Sequence, residues 1–532
     1  MSLHRIHGGL AAAALPHAGE PAAVRPCPLP RRLYLPLTET DGGPLYCRVS
    51  PGQQVRRGEA LAHAADALAT ILPAPTSGCI VAIQDHALAR SDGSLAPHLV
   101  LEPDGRDEPL LLPPMADWAQ ADPQQLRRRL AEAGVIGLGG AGFATAQKLA
   151  RPVSTLILNG AECEPYISCD QALLQERAAD VVAGAGLLAR IAGARQIIIA
   201  LQDRMLAAAD ALRAALVNVP GITLAQVPTV YPQGGERQLI EVLCGREVPA
   251  GSWPVDIGIA VQNVATAAAA WRAVALGEAM TTRLISLAGR GVVSGGVFEV
   301  RIGATIATLI EAAGGYAPDA ARLVLGGPLM GISLPHDEVA LTRTSNAILV
   351  LAAAELRPPA PEQACIRCGD CATACPVRLQ PQELLRLLRA DDAEGAADLG
   401  LAECIECGCC AFVCPAQIPL VDIYRQAKTA QAIARTARTR ADQARERYRA
   451  RGQRLAREQA EKVARVAARR DALAQEQAAA NLPTPATADA APVPAARMDK
   501  SAVLAAIARG KAKRTNANGP RAGAPQSPGE TS

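Results

Sequence analysis

The sequence predicts a multidomain α/β protein. Its 532 residues exceed what one hydrophobic core usually serves, so three or more domains are expected. Between residues 117 and 280, short apolar runs alternate with helical stretches, which predicts a mostly parallel sheet covered by helices. A cysteine motif that occurs twice near residue 400 predicts a compact metal-binding domain behind that sheet.

Residues 25–105 are predicted to form short strands joined by glycine and proline turns. Segments 50–58 and 73–78 have similar turn-like sequences, and each is followed by an apolar run. This repeated pattern resembles the barrel-sandwich hybrid of lipoyl and biotinyl domains. Those carriers need a lysine at the hairpin tip, and none lies between Arg57 and Ser77. We therefore expect a docking surface rather than a swinging arm. An unrelated small β domain is the alternative.

The α/β domain is predicted over residues 117–280 and a small β-grasp element over 284–353. In the first, apolar runs at 155–158, 196–201 and 257–261 predict buried strands, and 205–217, 236–243 and 266–275 predict helices. In the second, strand-like runs surround a short helix at 305–313 and a glycine-rich segment at 326–331. The expected role of the β-grasp element is to bridge the α/β domain to the cysteine motifs.

A glycine-rich loop at residues 137–143 precedes a predicted helix that contains Lys148. Glycines let backbone N–H groups approach a phosphate, and a helix N-terminus favours an anion. A plain turn is the alternative for such a loop taken alone. Polar segments at 159–165, 231–236 and 261–266 end strands or begin helices, and together they favour one crevice for a dinucleotide or flavin.

Residues 358–424 carry two copies of Cys-x2-Cys-x2-Cys-x3-Cys-Pro, a spacing typical of two-cluster ferredoxins. In that arrangement the fourth cysteine of each motif ligates the other [4Fe–4S] cluster. We therefore expect one cluster on Cys365, Cys368, Cys371 and Cys414, and the other on Cys404, Cys407, Cys410 and Cys375. Structural zinc and disulfides are the alternatives, but neither requires this spacing, and no secretory signal is evident. Cys409 is expected to be a bystander, and Cys163 and Cys169 to be packing residues.

The carboxyl-terminal part is predicted to be a long exposed helix over residues 425–480, followed by a disordered tail over 481–532. From Arg425 to Glu476 there are 15 Lys/Arg against six Asp/Glu, whereas the net charge of the chain is only +3. Without interleaved aromatic residues, this basic helix is not expected to bind nucleic acid. No stretch is apolar enough to span a bilayer, so we expect a peripheral protein.

The order of these segments resembles the flavin-bearing, NADH-oxidising 51-kDa subunit of respiratory complex I. The two cysteine motifs and the leading β module make it more similar to the RnfC family of the Rnf ion-translocating electron transport complex, over roughly residues 25–425. The resemblance implies a Rossmann-like FMN domain, an SLBB-like β-grasp element and a two-cluster ferredoxin domain. It also implies a place on the cytoplasmic side of the inner membrane, with membrane and peripheral subunits as partners.

The resemblance further implies that the chain exchanges electrons between NAD(H) and two [4Fe–4S] clusters through FMN, without a catalytic acid or base. Ferredoxin or flavin-type carriers are the implied electron partners. The residues implied to hold FMN and NAD(H) are Gly139, Gly140, Gly142, Phe143, Lys148, Asn159, Glu162, Glu164, Asn263 and Thr266. Ala161 departs from the complex I pattern, which has aspartate there. The alternatives are a cobalamin reductase of similar architecture and a scaffold that has lost nucleotide binding.

Overall fold

The structure is a computed structural model that describes residues 3–11, 21, 23–38, 43–65, 70–140, 142–356 and 361–481, with 501, 504, 505 and 508. The chain divides into two compact units, Met1–Ala437 and Arg438–Ser532. Ala141 of the glycine loop, Pro358 and Pro359 at the start of the predicted cysteine-rich segment, and nearly all of the predicted tail lie outside the described residues.

The amino-terminal module is built from short strands in two sheets, ordered β3-β9-β8-β5 and β4-β6-β7. Leucines alternate inward along β3, and Leu33 and Leu35 pack with Leu61 and Ile80 in one core. That core continues into the β-grasp element through Phe298. The strands of this part are β1 (Leu10–Ala11), β2 (Arg25–Pro26), β3 (Leu33–Pro36), β4 (Tyr46–Cys47), β5 (Gln54–Val55), β6 (Ala60–His63), β7 (Ile71–Pro73), β8 (Gly78–Ala87) and β9 (Leu95–Pro103).

The α/β domain has a four-stranded parallel sheet of order β12-β11-β10-β14. Successive side chains of β10 enter different cores, with Leu156 and Leu158 on one face and Ile157 on the other. The strands are β10 (Thr155–Gly160), β11 (Gln196–Gln202), β12 (Ile222–Val227), β13 (Val230–Tyr231) and β14 (Ile259–Asn263). The helices are α1 (Pro123–Glu132), α2 (Thr145–Lys148), α3 (Cys169–Glu176), α4 (Ala178–Ala192), α5 (Leu206–Ala215), α6 (Glu236–Cys244) and α7 (Val264–Trp271).

The helix predicted after the glycine loop is present as α2 and contains Lys148, as expected. It spans only four residues. Its preceding residue, Ala144, makes no side-chain cap, and the chain leaves the helix at Leu149. Any phosphate-binding capacity of this segment therefore resides in the loop backbone rather than in a helix dipole, because a dipole needs several aligned turns.

The β-grasp element follows as a sheet of order β18-β17-β19-β15-β16-β2, in which β15 and β19 run parallel. Its helix begins at the N-cap Thr305, whose hydroxyl accepts a hydrogen bond from Thr308 N. The elements are β15 (Thr282–Ala288), β16 (Gly296–Arg301), α8 (Ile306–Ala312), β17 (Ala320–Leu325), β18 (Ile332–Leu334) and β19 (Ala347–Ala352).

The cysteine-rich segment forms α9 (Asp370–Ala374), α10 (Pro381–Arg389), α11 (Ala393–Asp398) and α12 (Cys409–Phe412) around a small apolar core. Glycines with positive φ, Gly369 at 87° and Gly408 at 82°, precede α9 and α12, as a tight turn from loop to helix requires. Tyr424 is buried in this core, and its hydroxyl donates to Pro381 O at 2.5 Å.

The last helix, α13 (Leu420–Ala480), starts five residues earlier than predicted. Leu420, Val421 and Tyr424 are its buried residues and belong to the first unit. Within the second unit, the described residues of the helix are all exposed. No helix among the described residues combines the length and apolar character that crossing a membrane requires.

Candidate functional site

The glycine loop lies beyond the carboxyl end of the parallel sheet, and contacts with α7 and the residue before it fix its position. Thr266 Oγ1 accepts a hydrogen bond from Leu138 N at 2.9 Å, and a β-carbon on Gly139 would lie 3.5 Å from the Asn263 side chain. Gly140 adopts φ +111° with open space where a side chain would be, and Gly142 adopts φ +67°. The loop thus presents bare backbone, which is what close approach to a phosphate needs.

The end of β10 is joined to the loop before α6. Asn159 Nδ2 donates to Gly234 O at 2.8 Å, while Asn159 Oδ1 accepts from Ala161 N. Gly234 N in turn donates to Cys163 Sγ at 3.2 Å, and burial raises the pKa of that thiol to about 12. Both polar atoms of the Asn159 side chain are therefore used to fix the backbone, so two of the predicted segments meet here.

Glu162 and Asp170 form a buried carboxyl pair beside Asn263. Glu162 accepts hydrogen bonds from Asp170 N and Gln171 N at the start of α3, and Asp170 Oδ2 accepts from Asn263 Nδ2 at 2.5 Å. Burial, and then the charge of Asp170, raise the pKa of Glu162 to about 7, and burial also raises the pKa of Asp170. Near neutral pH the pair holds a proton that exposed carboxylates would have lost.

Asp170 was not predicted, although it determines how Asn263 is oriented. Because Asn263 Nδ2 donates to Asp170, its Oδ1 is left to accept from Ala265 N and to cap α7. Cys169 donates to Glu162 and the buried cation Arg283 lies nearby, its pKa lowered by burial. Nothing in the local sequence pattern marks Asp170, since the contact joins residues that are 93 positions apart.

Glu164 connects the α/β domain to the β-grasp element. One of its oxygens, Oε1, accepts from Leu329 N at 2.8 Å and from Met330 N at 3.1 Å, and Gly327 packs against the same side chain. Burial raises the pKa of Glu164, while the two backbone donors oppose that rise. The carboxylate is thus fixed at the border of the two domains.

A cavity of about 1010 Å³ opens at this border, and Gly139, Gly140 and Glu164 are among its lining residues. The rest of its wall comes from the β-grasp segments 325–332 and 342–346 and from residues of the amino-terminal module such as Leu72 and Arg90. Bare glycine backbone, one carboxylate and mainly apolar walls are the kind of lining that a nucleotide-sized ligand takes. We refer to this cavity as the crevice.

The remaining predicted pocket residues have other immediate partners. Lys148 Nζ is paired with Glu236 Oε1 at 2.7 Å, and Phe143, 55% exposed, packs edge-on against Trp253 with ring centroids 6.2 Å apart. Neither Lys148 nor Phe143 belongs to the lining of the crevice. Their proposed contacts with a nucleotide stay predictions, as do those of the other residues named for the pocket.

The eight motif cysteines line two small cavities of the ferredoxin-like segment, four in each. Cys365, Cys368, Cys371 and Cys414 line one cavity, which we call the outer cysteine set. Cys375, Cys404, Cys407 and Cys410 line the other, which we call the inner cysteine set. Each set thus combines three cysteines of one motif with the fourth cysteine of the other, in the grouping expected from the spacing. Four thiols with apolar neighbours suit a cubic iron–sulfur cluster, and their metal ligation stays a prediction.

The two cysteine loops have closely similar backbones. Arg367 and Glu406, each two residues after the first cysteine of its motif, adopt φ of 56° and 57°. Such left-handed residues turn the chain around a central point, so that three thiols converge on it. Leu379 N donates to Cys375 Sγ at 3.3 Å, a hydrogen bond of the kind that adjusts the potential of a cluster.

The inner cysteine set lies against the elements that form the crevice. Tyr231, which ends β13 and is buried, donates from its hydroxyl to Cys407 O at 2.6 Å. Tyr231 packs in one apolar cluster with Leu329, Cys407 and Cys409. Leu329 is also the residue whose N–H is bound by Glu164. One continuous set of contacts therefore links the crevice to this cysteine set.

Comparison with known proteins assigns the four folded parts of the first unit. The chain matches family models of the RnfC barrel sandwich hybrid domain over residues 4–106 and the Nuo51 FMN-binding domain over residues 130–272. It matches the SLBB domain over residues 284–333 and the 4Fe-4S dicluster domain over residues 364–418. The predicted fold class is confirmed, and the chain contains domain types that hold FMN and two [4Fe–4S] clusters. Fold and site together define a multidomain iron–sulfur flavoprotein.

Relatives that match along most of the chain give the particular family. The chain is 39% identical over 501 residues to the C subunit of the ion-translocating oxidoreductase complex of Salmonella arizonae, covering 93% of this chain and 71% of the relative. It is 42% identical over 438 residues to the protein of the same name from Yersinia pestis bv. Antiqua, covering 82% and 70%. The chain therefore belongs to the RnfC family, the C subunits of ion-translocating oxidoreductase complexes, and the predicted resemblance is confirmed.

Some relatives are considerably longer than this chain. The Pseudomonas aeruginosa relative is 42% identical over 467 residues, but the match covers 87% of this chain and only 60% of the relative. For the relative from Erwinia tasmaniensis that share is 55%. A solved NAD+-reducing [NiFe]-hydrogenase chain is 23% identical with a TM-score of 0.42, covering 59% of this chain and 63% of that one, and this slight likeness adds nothing to the assignment.

Proposed function

We propose that this chain is a peripheral electron-transfer subunit of a membrane-bound, ion-translocating complex on the cytoplasmic face of the inner membrane. It exchanges electrons between NAD(H), bound with FMN in the crevice, and two [4Fe–4S] clusters on the inner and outer cysteine sets. The observation that carries the proposal is the continuous set of contacts from Glu164 through Leu329 and Tyr231 to Cys407. Membrane and peripheral subunits, ferredoxin or flavin-type carriers are the proposed partners.

When bound, FMN supplies the conversion between the two electrons of a hydride and the single electrons that iron–sulfur clusters carry. The chain positions the cofactors and adjusts their reduction potentials. Gly139 and Gly140 offer bare backbone to the phosphate, and Glu164 contributes a fixed carboxylate to the same lining. Asn159, Asn263 and Thr266 hold the surrounding loops, while Lys148 is paired with Glu236 and has further N–H donors to offer a phosphate.

The remaining residues have supporting roles in this proposal. Gly142 allows the loop to turn back, and Phe143, which lies outside the lining of the crevice, has an exposed ring on which we propose the nucleotide base stacks. Glu162 holds the start of α3, so that its role toward FMN is indirect. Membership of the RnfC family favours this function over the cobalamin reductase alternative.

The glycine loop offers a direct test with a matched control. Replacing Gly140 by alanine strains a φ of +111° in the crevice, and replacing Gly315 strains a φ of +91° away from it; both positions have open space for the new atom. We expect G140A to lower FMN affinity at least tenfold, measured by fluorescence titration of the flavin-free full chain, and G315A to leave it unchanged. Equal FMN affinity in both variants would exclude the loop as the FMN site.

A further inference from the structure

The described residues of the second unit lie mainly in the exposed part of α13, from Arg438 to Ala480. Five large apolar side chains of this part are half or more exposed, up to 80% for Tyr448: Tyr448, Leu455, Val463, Val466 and Leu473. A single exposed apolar residue is common on a protein surface, but these five recur along one helix. Because nothing among the described residues covers them, they do not stabilise the helix by packing.

The five side chains share one face of the helix. Four of them follow each other at intervals of seven, 11 and seven residues: Tyr448, Leu455, Val466 and Leu473. Since an α-helix turns by about 100° per residue, these intervals bring the four to within about 20° of one another. Val463 lies about 60° to one side of Tyr448, and the whole face is about 38 Å long at about 1.5 Å per residue. We call these five side chains the apolar stripe.

Cations border the apolar stripe on both sides. By the same helical geometry, the Lys/Arg residues within about 60° of Tyr448 are Arg445, Arg451, Lys462, Arg469 and Arg470. The nearest carboxylates, Glu458 and Glu476, are about 80° away, and the others lie further round the helix. Of the five cations, Arg445 alone has a carboxylate partner among the described residues. Four positive charges beside the stripe are therefore available to an anionic partner.

An apolar stripe between two rows of cations matches the surface of a lipid bilayer that contains anionic headgroups. The apolar side chains reach the acyl boundary, the cations lie at the lipid phosphates, and tyrosine is favoured at that interface. A bilayer can cover a straight stripe of this length without a matching groove. A second copy of the helix would bring like charges together, and a nucleic acid would leave the stripe in water.

We propose that the part of α13 from Arg438 to Ala480 lies on the surface of an anionic lipid bilayer, with the apolar stripe at the acyl boundary. The inference rests on the proposed function for the presence of a membrane and adds a contact of its own. The proposed function brings the chain to the membrane through other subunits, whereas here the chain itself binds lipid. Apolar burial and attraction to anionic headgroups both contribute, so binding weakens when either is removed.

Two double substitutions in the full chain provide the test. Leu455→Gln with Val466→Gln removes the centre of the stripe without changing charge. Ala450→Gln with Ala464→Gln places the same side chains on the opposite face, about 160° from Tyr448. We expect the unsubstituted chain to bind vesicles of phosphatidylcholine and phosphatidylglycerol at least tenfold more tightly than vesicles of phosphatidylcholine alone, measured by flotation. The stripe variant should lose at least tenfold in affinity for the mixed vesicles, and the alanine variant less than twofold.

A second measurement reports which face meets the lipid. Tyr448→Trp places an indole in the stripe, and Ala464→Trp places one on the opposite face of the same helix. We expect brominated lipid in the mixed vesicles to quench the added fluorescence of Tyr448→Trp and to leave that of Ala464→Trp unchanged. Equal quenching in both variants would overturn the proposed orientation.

Three further results would overturn the lipid contact: equal affinity of the two glutamine variants, equal affinity for the two kinds of vesicle, or tighter binding to a short DNA duplex than to the mixed vesicles. The vesicles contain no other subunit and the assays use no NADH. Failure of the proposed function would therefore appear separately, as a chain that binds the mixed vesicles but whose clusters NADH does not reduce.

Discussion

At the scale of single residues, the Glu162–Asp170 pair is the least expected feature of the site. Two carboxyl groups side by side would repel each other if both were ionised in a buried place. Three hydrogen bonds to Glu162 and one to Asp170 offset part of that cost. Burial and the charge of Asp170 raise the pKa of Glu162 more than these hydrogen bonds lower it, and the result is a pKa of about 7. The pair therefore titrates near neutral pH.

The pair makes the stability of the α/β domain depend on pH. The pKa of Glu162 is about 7 when folded and 4.5 when exposed, so the folded state keeps a proton that the unfolded state loses. Stability should fall by roughly 2–3 kcal/mol as pH rises from about 4.5 through 7. Glu162→Gln should remove most of this slope in thermal melts between pH 5 and 8.

The exposed Glu311 on α8 provides the control for that substitution. Glu311→Gln should leave the pH dependence as it is, since its carboxyl group is in water. If Glu162→Gln and the unsubstituted chain lost the same thermal stability between pH 5 and 8, the buried pair would not hold the proton assigned to it.

Tyr231 is the side chain whose hydroxyl bonds the crevice side to the inner cysteine loop. Tyr231→Phe leaves Cys407 O buried without its donor, a loss worth about 1–3 kcal/mol. We expect iron to leave this variant several-fold faster in the presence of a chelator. In the control Tyr316→Phe, the lost hydrogen bond goes to Asp337 at the surface, and iron release should be unchanged. Equal release from both variants would argue against a structural role for Tyr231 at the cluster loop.

At the scale of elements, sequence patterns indicate the helices whose ends and periodicity are set by their own residues. The helix α10 is encoded locally, because Pro381 suits the first helical turn and the leucines that follow recur with helical spacing. The helices α3 and α4 were missed. In α4, Gly184 lowers helix propensity, yet it is needed because the backbone of α7 at Ala267 leaves no room for a β-carbon. The short α2 and the Asp170–Asn263 contact likewise depend on tertiary packing that no local pattern records.

The exchange of fourth cysteines between the motifs is the element-level feature that is simplest to test. Cys375 follows α9 of the first motif but lines the inner set with the cysteines of the second. Cys375→Ser should reduce the iron content from about eight to about four per chain and remove one EPR signal. Cys409→Ser, which changes a buried cysteine of the same loop, should retain both signals.

Loss of the inner-set signal in Cys409→Ser, with the outer-set signal kept, would make Cys409 a ligand rather than a bystander. Full iron content in Cys375→Ser would show that the inner set binds its cluster without Cys375. Cys414→Ser is the complementary variant, because Cys414 lines the outer set. Cys414→Ser should lose the EPR signal of the outer set and keep that of the inner set, which is the signal that Cys375→Ser removes.

At the scale of the whole molecule, the first unit brings the crevice and both cysteine sets into one continuous body. The parallel sheet positions the glycine loop, the β-grasp element supplies Leu329 at the border, and the ferredoxin-like segment packs against both. The amino-terminal module contributes part of the crevice wall as well as core. A role in electron exchange therefore depends on this arrangement as a whole, rather than on any single catalytic side chain.

The most direct test of that role is an anaerobic titration of the full-length chain, loaded with iron, sulfide and FMN, with NADH under EPR. The account predicts about eight irons per chain and two [4Fe–4S] signals that grow as NADH is added, reaching those that dithionite produces. Clusters that dithionite reduces but NADH leaves oxidised, even with the other subunits of the complex present, would contradict it, as would a chain that incorporates zinc in place of iron.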